Sequence, residues 1–284
     1  MTEPPLPDFL IVGPQKCATT WLYDCLYEHP EVLMPETDSI HYFDMFYYKD
    51  ETWYRDYFSA YDGEQIIGEE TPTYIRGEMV PERIVETLSN TKLIFTLRNP
   101  IDRAFSHWWH EKSKNKHSFA FKEVFENYDL YQNWVVPGFY HQHLTRFAQY
   151  FSEEQIKICF FDDLVKNDIA YIQDVYSFLD VDNEYVPSLV DEKVNQGRFR
   201  GIDRMSIYSS AASVYKKVAP RAAIDTVRPL HRGLREILAS QTEYEEGMDE
   251  DTRKRLEEHY IEDTRNLADD VGRDLSHWLQ YHDL

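Results

Sequence analysis

A chain of 284 residues with 51 acidic and 30 basic side chains carries a formal charge of −21, which opposes indiscriminate binding to nucleic acid or anionic lipid because both need a net basic footprint. Its 42% hydrophobic and 15% aromatic content is enough for a substantial core and excludes a disordered acidic tail. Cys17, Cys25 and Cys159 are too few and too irregularly spaced for a disulfide framework or a zinc site, so no metal is expected. No run of 18 apolar residues and no basic-then-apolar leader is present, so a cytoplasmic protein without a membrane span is expected.

Phe9 to Val12 is the first strand-sized apolar run; it ends in Gly13-Pro14, and Thr20 to Tyr27 then has helix-forming composition. Gln65 to Gly68 is a shorter strand candidate. Lys92 to Leu97 repeats the pattern, stopping at Arg98-Asn99-Pro100 before a helix over Asp102 to Lys112. Ile156 to Phe161 precedes one helical segment running from Asp162 to Leu179. Asp249 to Val271 reads as a single amphipathic helix, with Leu256, Tyr260, Leu267 and Val271 on one face and Gly272 as its stop signal. The 14 acids against 5 bases from residue 243 onward are the solvated face of that helix. Strands alternating with helices predict one α/β domain over residues 1–284, a P-loop-like parallel sheet flanked by helices.

In Gly13-Pro14-Gln15-Lys16-Cys17-Ala18-Thr19-Thr20-Trp21, a lysine and two hydroxyls lie between a buried strand and a helix N-terminus. Unpartnered backbone N–H groups and the helix dipole favour an anion there; Lys16 adds a mobile charge, and Thr19 and Thr20 add donors. A capped helix with an incidental lysine is the alternative reading. The nucleoside-triphosphatase pattern G-x-x-x-x-G-K-[ST] is not met, since Lys16 comes three residues after Gly13 and Ala18 replaces a glycine. The strand Lys92 to Leu97 ends in Arg98, not in an acid that would hold magnesium, which suits a second phosphate or sulfate bound by a guanidinium fork.

Four segments resemble the sulfotransferases that use 3′-phosphoadenosine 5′-phosphosulfate, in particular the branch near heparan sulfate and bacterial carbohydrate sulfotransferases. Pro14 to Leu22 resembles the family's 5′-phosphosulfate loop and Leu97 to Ser106 its 3′-phosphate motif. Gly68-Glu69-Glu70-Thr71-Pro72-Thr73-Tyr74 is similar to a segment holding a proposed catalytic glutamate, and Asp274-Leu275-Ser276-His277-Trp278 resembles a common family ending. The resemblance implies that Gln15, Lys16, Cys17, Ala18, Thr19, Thr20 and Trp21 surround the donor's phosphosulfate, and that Arg98 and Ser106 hold its 3′-phosphate. Asn195 to Gly201 resembles a late loop closing over the nucleotide, which brings in Gly197, Arg198 and Arg200. The segment departs from the family twice: Thr37-Asp38-Ser39-Ile40-His41-Tyr42-Phe43 lacks the Lys-Glu that many relatives carry, and Glu70 stands where some have lysine.

Sulfuryl transfer needs charge stabilisation on the leaving oxygen, for which Lys16 is suited, and a base for the acceptor proton, for which Glu69 is the first candidate and His41 the second. Arg98, Arg103, Lys112, Lys114, Lys116 and Lys122 against Asp102 and Glu111 give a local charge of +4, interleaved with His107, Trp108, Trp109, His110 and His117. That mixture suits an anionic acceptor or stacking on sugar faces, or else a solvated helix end. The expected partners are a nucleotide donor and a glycan or small-molecule acceptor. The alternatives are a nucleotide-dependent kinase with an unusual phosphate loop and a non-catalytic nucleotide-binding module.

The acidity has two readings, a solubilising surface or an adaptation to high salt. The second makes a measurable difference: if self-repulsion limits stability, the unfolding temperature rises by several degrees between low and molar potassium chloride. A flat or falling profile leaves only solubility as the explanation.

Overall fold

A computed structural model describes residues 3–114, 116–190 and 247–281. Strands β1 (Phe9–Gly13), β2 (Val32–Leu33), β3 (Ile66–Glu70), β4 (Lys92–Leu97) and β5 (Ile156–Phe160) form one sheet in the order β2-β3-β1-β4-β5, parallel throughout. The connecting helices are α1 (Thr19–Glu28), α2 (Glu51–Arg55), α3 (Val80–Thr87), α4 (Pro100–Ser113), α5 (Tyr128–Leu130), α6 (Tyr140–Ala148), α7 (Phe161–Lys166) and α8 (Asp168–Leu179), and α9 (Glu250–Val271) follows. The predicted α/β class and parallel sheet are therefore observed.

Both sheet faces are covered, which is why β1 reads as an unbroken apolar run and not as an alternation. Leu10 and Val12 pack on one face with Ile67, Leu93 and Phe95 beneath α3, α6 and α9. Phe9, Ile11 and Ile94 pack on the other beneath α1 and α8. A third cluster joins α4 to α9 through Trp108, Trp134 and Tyr260. The amphipathic reading of α9 holds: Asp249 caps it by accepting from Thr252 N, Gly272 ends it in the left-handed region, and Leu256, Tyr260 and Leu267 are buried.

Three boundaries differ from the sequence reading. β3 runs on through Glu69 and Glu70, because both acids are taken into the interior. β2 is a two-residue strand too short to give a periodic signal. The helix expected from Asp162 to Leu179 is two helices, broken where Asn167 leaves helical geometry and uses its side chain to accept from Ala170 N.

The C-terminal strand ends carry the loops that matter. Gly13, at φ 104°, presses so closely on the β3 loop that an added Cβ would stand 2.1 Å from the Pro72 carbonyl oxygen. Thr71 N also donates to Ile11 O at 3.0 Å, so β1 and β3 hand over to their loops as one unit. After β4, Asn99 caps α4 by accepting from Ile101 N and Asp102 N and donates to Trp278 O at 2.7 Å. Trp278 is buried and donates to Asp162 at 2.9 Å, which ties the chain's end to the β4 and β5 loops.

Gly13→Ala introduces both a left-handed alanine and a collision with rigid backbone. The expected loss is about 2–4 kcal/mol of unfolding free energy in denaturant titration. Wild-type stability in this variant would mean that the β1–β3 contact is loose.

Candidate functional site

The loop between β1 and α1, expected to hold a phosphate, carries two unusual backbone conformations. Lys16 and Ala18 both adopt left-handed backbone, at φ 71° and 67°, a conformation that costs a residue with a Cβ about 1–2 kcal/mol each. Alternation of this kind turns successive N–H groups toward one point. Ala18 is also the N-cap of α1, and with no side-chain cap and no acid in the first turn the helix start has no acceptor of its own. The Cys17 thiol is fully buried and pushed up to about 11 by that burial, so it supplies backbone but no nucleophile. Thr19 is buried, Thr20 exposed, and Trp21 packs edge-on to Tyr171 at 5.8 Å.

Lys16 has no hydrogen-bond or ion-pair partner for its ammonium among the described residues. Its pKa is lowered to about 7, chiefly by burial and then by the positive charges of Lys114, Lys116 and Arg103, with Glu111 opposing. Arg103, His107 and Glu111 form an i, i+4, i+8 row on α4. Arg103 is fully buried and donates to the Trp134 carbonyl, and His107 is held well below its usual pKa by burial and by the Arg103 and Lys16 charges, so it is neutral at pH 7. The basic stretch of the sequence therefore does supply a local positive field. Trp108 and Trp109, however, are both buried and pack into the α4–α9 core, so neither offers an open stacking face.

Arg98 is brought to the phosphate loop. Its guanidinium donates to the Lys16 carbonyl at 3.4 Å and lies over the Phe161 ring at 4.8 Å, while its own carbonyl accepts from Tyr140 at 2.7 Å. Ser106 is partly exposed, about two turns along α4 from the bent entry at Asn99. Gln15 is partly buried in the loop. Gly197, Arg198 and Arg200 lie outside the described residues.

Glu69, the expected base, sits in a closed socket. Its carboxylate has no exposed surface and accepts from the hydroxyls of Tyr54, Thr71 at 2.7 Å and Tyr74 at 2.8 Å. Burial raises its pKa, the three hydroxyls oppose that, and no edge remains through which an acceptor could reach it. His41 lies one step away, with its amide donating to Thr71 Oγ1 at 3.4 Å. Its ring Nδ1 stands 3.2 Å from both Asp44 oxygens and 3.3 Å from Thr73 Oγ1, and the Asp44 bond raises its pKa. Sequence reasoning passed over Glu70. Its burial and the nearby carboxylates of Asp38, Asp24 and Glu69 lift it to about 7, while the Thr19 hydroxyl sits against it and favours its charged form. The signal that could have found it is the period-two alternation of β3, which places Glu69 and Glu70 on opposite faces.

Comparison with known proteins gives one consistent result. The model of the Sulfotransferase domain family matches residues 6–211. The human bifunctional heparan sulfate N-deacetylase/N-sulfotransferase 2 is 32% identical over 201 residues, covering 62% of this chain and 22% of that protein. The chain thus spans about a fifth of the length of the curated relatives it matches. A sulfotransferase from Alicyclobacillus acidocaldarius superposes with a TM-score of 0.71 at 22% identity, covering 96% of this chain and 99% of that one. Mouse sulfotransferase SULT7A1, solved in complex with PAP, superposes with a TM-score of 0.54 at 18% identity, covering 94% and 86%. At these identities the two structures speak for the fold.

The Glu69 socket sets a stability test. In Glu69→Gln the amide cannot accept from three hydroxyls as the carboxylate does, and a buried donor goes unpaired. Unfolding free energy should fall by about 1–3 kcal/mol in denaturant titration. An unchanged midpoint would show that the three hydroxyls are satisfied without it.

Proposed function

The chain belongs to the sulfotransferase family, and from that premise we propose that it transfers a sulfuryl group from 3′-phosphoadenosine 5′-phosphosulfate to a hydroxyl or amine of a carbohydrate. The observation that carries the reading is the uncapped start of α1, preceded by a Lys16 ammonium with no partner among the described residues and by a Lys16 carbonyl that Arg98 reaches from the end of the next strand. A loop strained into left-handed geometry, with a cation whose charged form is disfavoured until an anion arrives, fits the 5′-phosphosulfate of such a donor. Arg98, clamped between Phe161 and the Lys16 carbonyl, fits the 3′-phosphate, with Ser106 as a second donor along α4. The carbohydrate acceptor rests on similarity to heparan sulfate N-sulfotransferases over 201 residues.

In this scheme the phosphate loop holds the donor in line with the acceptor, and Lys16 neutralises the charge that grows on the leaving phosphate oxygen. The field of Arg103, Lys114 and Lys116 keeps the loop attractive to polyanions within a chain of net charge −21. One observation favours a kinase instead: Glu70 stands beside Thr19 at the end of the neighbouring strand, a placement that could serve a metal-bound phosphate. Among the described residues no group of three or more His, Cys, Asp and Glu side chains is arranged to hold a metal ion, an arrangement that a phosphate-bound magnesium does not need. No helix among them is long and apolar enough to cross a membrane.

Calorimetry separates the readings. Binding of 3′,5′-diphosphoadenosine without magnesium supports the sulfotransferase, magnesium-dependent ATP binding the kinase, and binding without turnover the module. Arg98→Ala should weaken 3′,5′-diphosphoadenosine about 30-fold or more while leaving adenosine 5′-phosphate nearly unchanged. Lys16→Ala should lower turnover about 100-fold or more. Because Lys16 loses its proton near pH 7 when free and holds it when an anion is bound, wild-type nucleotide affinity should fall as pH rises through 7. Lys16→Ala should flatten that dependence; a wild-type affinity independent of pH would remove Lys16 from the donor site.

A further inference from the structure

The segment Asp274 to Trp278 has no part in the site described so far, yet it is fastened down on several sides. After α9 stops at Gly272, the short turn Ser276–Trp278 buries its indole to 2% exposure. The ring lies 6.0 Å from Phe160 at the end of β5 and 6.1 Å, edge-on, from Tyr140 at the start of α6. Its Nε1–H donates to Asp162 Oδ2 at 2.9 Å, the same oxygen that His277 Nε2 meets at 2.8 Å. A buried indole needs a partner for its N–H, and packing alone would account for that bond. Packing does not account for the backbone, whose carbonyl accepts from the Asn99 side chain at 2.7 Å. Trp278 therefore ties the loop after β4 to the loop after β5.

Arg98 stands where those two loops meet. Among the described residues its guanidinium makes one hydrogen bond, a long one of 3.4 Å to the Lys16 carbonyl. A long side chain held so lightly owes its direction to what packs around it. Three contacts supply that direction: the Phe161 ring under the guanidinium at 4.8 Å, the Tyr140 hydroxyl donating to the Arg98 carbonyl at 2.7 Å, and Asn99, which fixes the turn into α4. Each reaches Trp278 in one further step. Phe161 precedes Asp162, which the indole N–H holds; the Tyr140 ring lies against the indole; Asn99 donates to the Trp278 carbonyl. Arg273 braces the same corner, bonding both oxygens of Asp163 and lying over the Phe160 ring at 4.1 Å.

We propose that Trp278 is a positioning residue for the donor's 3′-phosphate, holding the Arg98 guanidinium in the direction a 3′-phosphorylated nucleotide requires, an assignment that rests on the sulfotransferase reading. Trp278 does not touch the nucleotide in this scheme. A guanidinium already aimed loses little freedom when a phosphate arrives, whereas one released from its platform loses rotamer freedom at that moment and binds more weakly. The 5′ end of the nucleotide is served by the loop between β1 and α1, whose own support is the contact of Gly13 with Pro72, so the effect is concentrated on the 3′-phosphate.

Calorimetric competition tests this by comparing 3′,5′-diphosphoadenosine with adenosine 5′-phosphate on wild type, Trp278→Phe, Asp162→Ala and Arg98→Ala, and on the two doubles that add Arg98→Ala to each of the others. Trp278→Phe keeps a ring in the core and removes the Nε1–H, while Asp162→Ala removes its acceptor from a partly exposed position, so the same bond is broken from either side. Each should lower the preference for the 3′-phosphorylated nucleotide roughly 3- to 10-fold with adenosine 5′-phosphate affinity close to wild type. With Arg98→Ala already in place, neither should lower it further, because the group being positioned is gone. Equal weakening of both nucleotides, an unchanged preference in either folded variant, or a loss as large with Arg98→Ala as without it overturns the assignment and leaves the donor site standing. Wild type with no preference for the 3′-phosphorylated nucleotide overturns the donor site and this assignment with it.

Discussion

The contact between Gly13 and the Pro72 carbonyl is the constraint on which the site depends. A parallel sheet delivers its loops at one edge, but it does not by itself say how closely two neighbouring loops approach. Here the missing side chain of Gly13 lets the β1 and β3 loops touch backbone to backbone, and the Thr71 N–H seals the join on Ile11. From that join follow the direction of the phosphate loop, the placement of Thr19 against Glu70, and the position of Thr71 between Glu69 and the His41 amide. Any larger residue at position 13 would separate the donor loop from the strand end that carries both acids.

Charge is segregated around this join. On the α4 side, burial first and then the charges of Lys114, Lys116 and Arg103 depress the Lys16 pKa, with Glu111 opposing. On the α1 side, Asp24, Asp38 and Glu70 collect negative charge. The donor's phosphates suit the first region.

The second strand end is held from far away in sequence. Asn99 both caps α4 and reaches Trp278, which in turn is fastened to Asp162. Arg98 is the residue next to this anchor, and its guanidinium is steadied by Phe161 on the loop after β5. Such support from the segment after α9 holds Arg98 beside the loop between β1 and α1.

The chain's local patterns determined the parallel α/β architecture: apolar runs of strand length, proline and glycine punctuation, and helical spacing are all short-range signals, and β1, β4, β5, α1, α4 and α9 appear within a few residues of where those signals put them. The composition of the loop between β1 and α1 is likewise local, its lysine and hydroxyls lying within the five residues Lys16 to Thr20. What the tertiary structure alone decided was the surroundings of Glu69 and Glu70. They are adjacent in sequence, where Glu69 is the first candidate base, His41 the second, and Glu70 a departure from the family pattern. The three hydroxyls that close over Glu69 come from Tyr54, Thr71 and Tyr74, and Tyr54 is brought in by a different stretch of chain. Whether a strand-end acid is saturated by hydroxyls depends on which face of β3 it occupies and what packs there, and that information is nonlocal. Likewise, the tryptophan pair at 108 and 109 had the composition of a sugar platform, but only the packing of α4 against α9 showed that both rings are spent on the core.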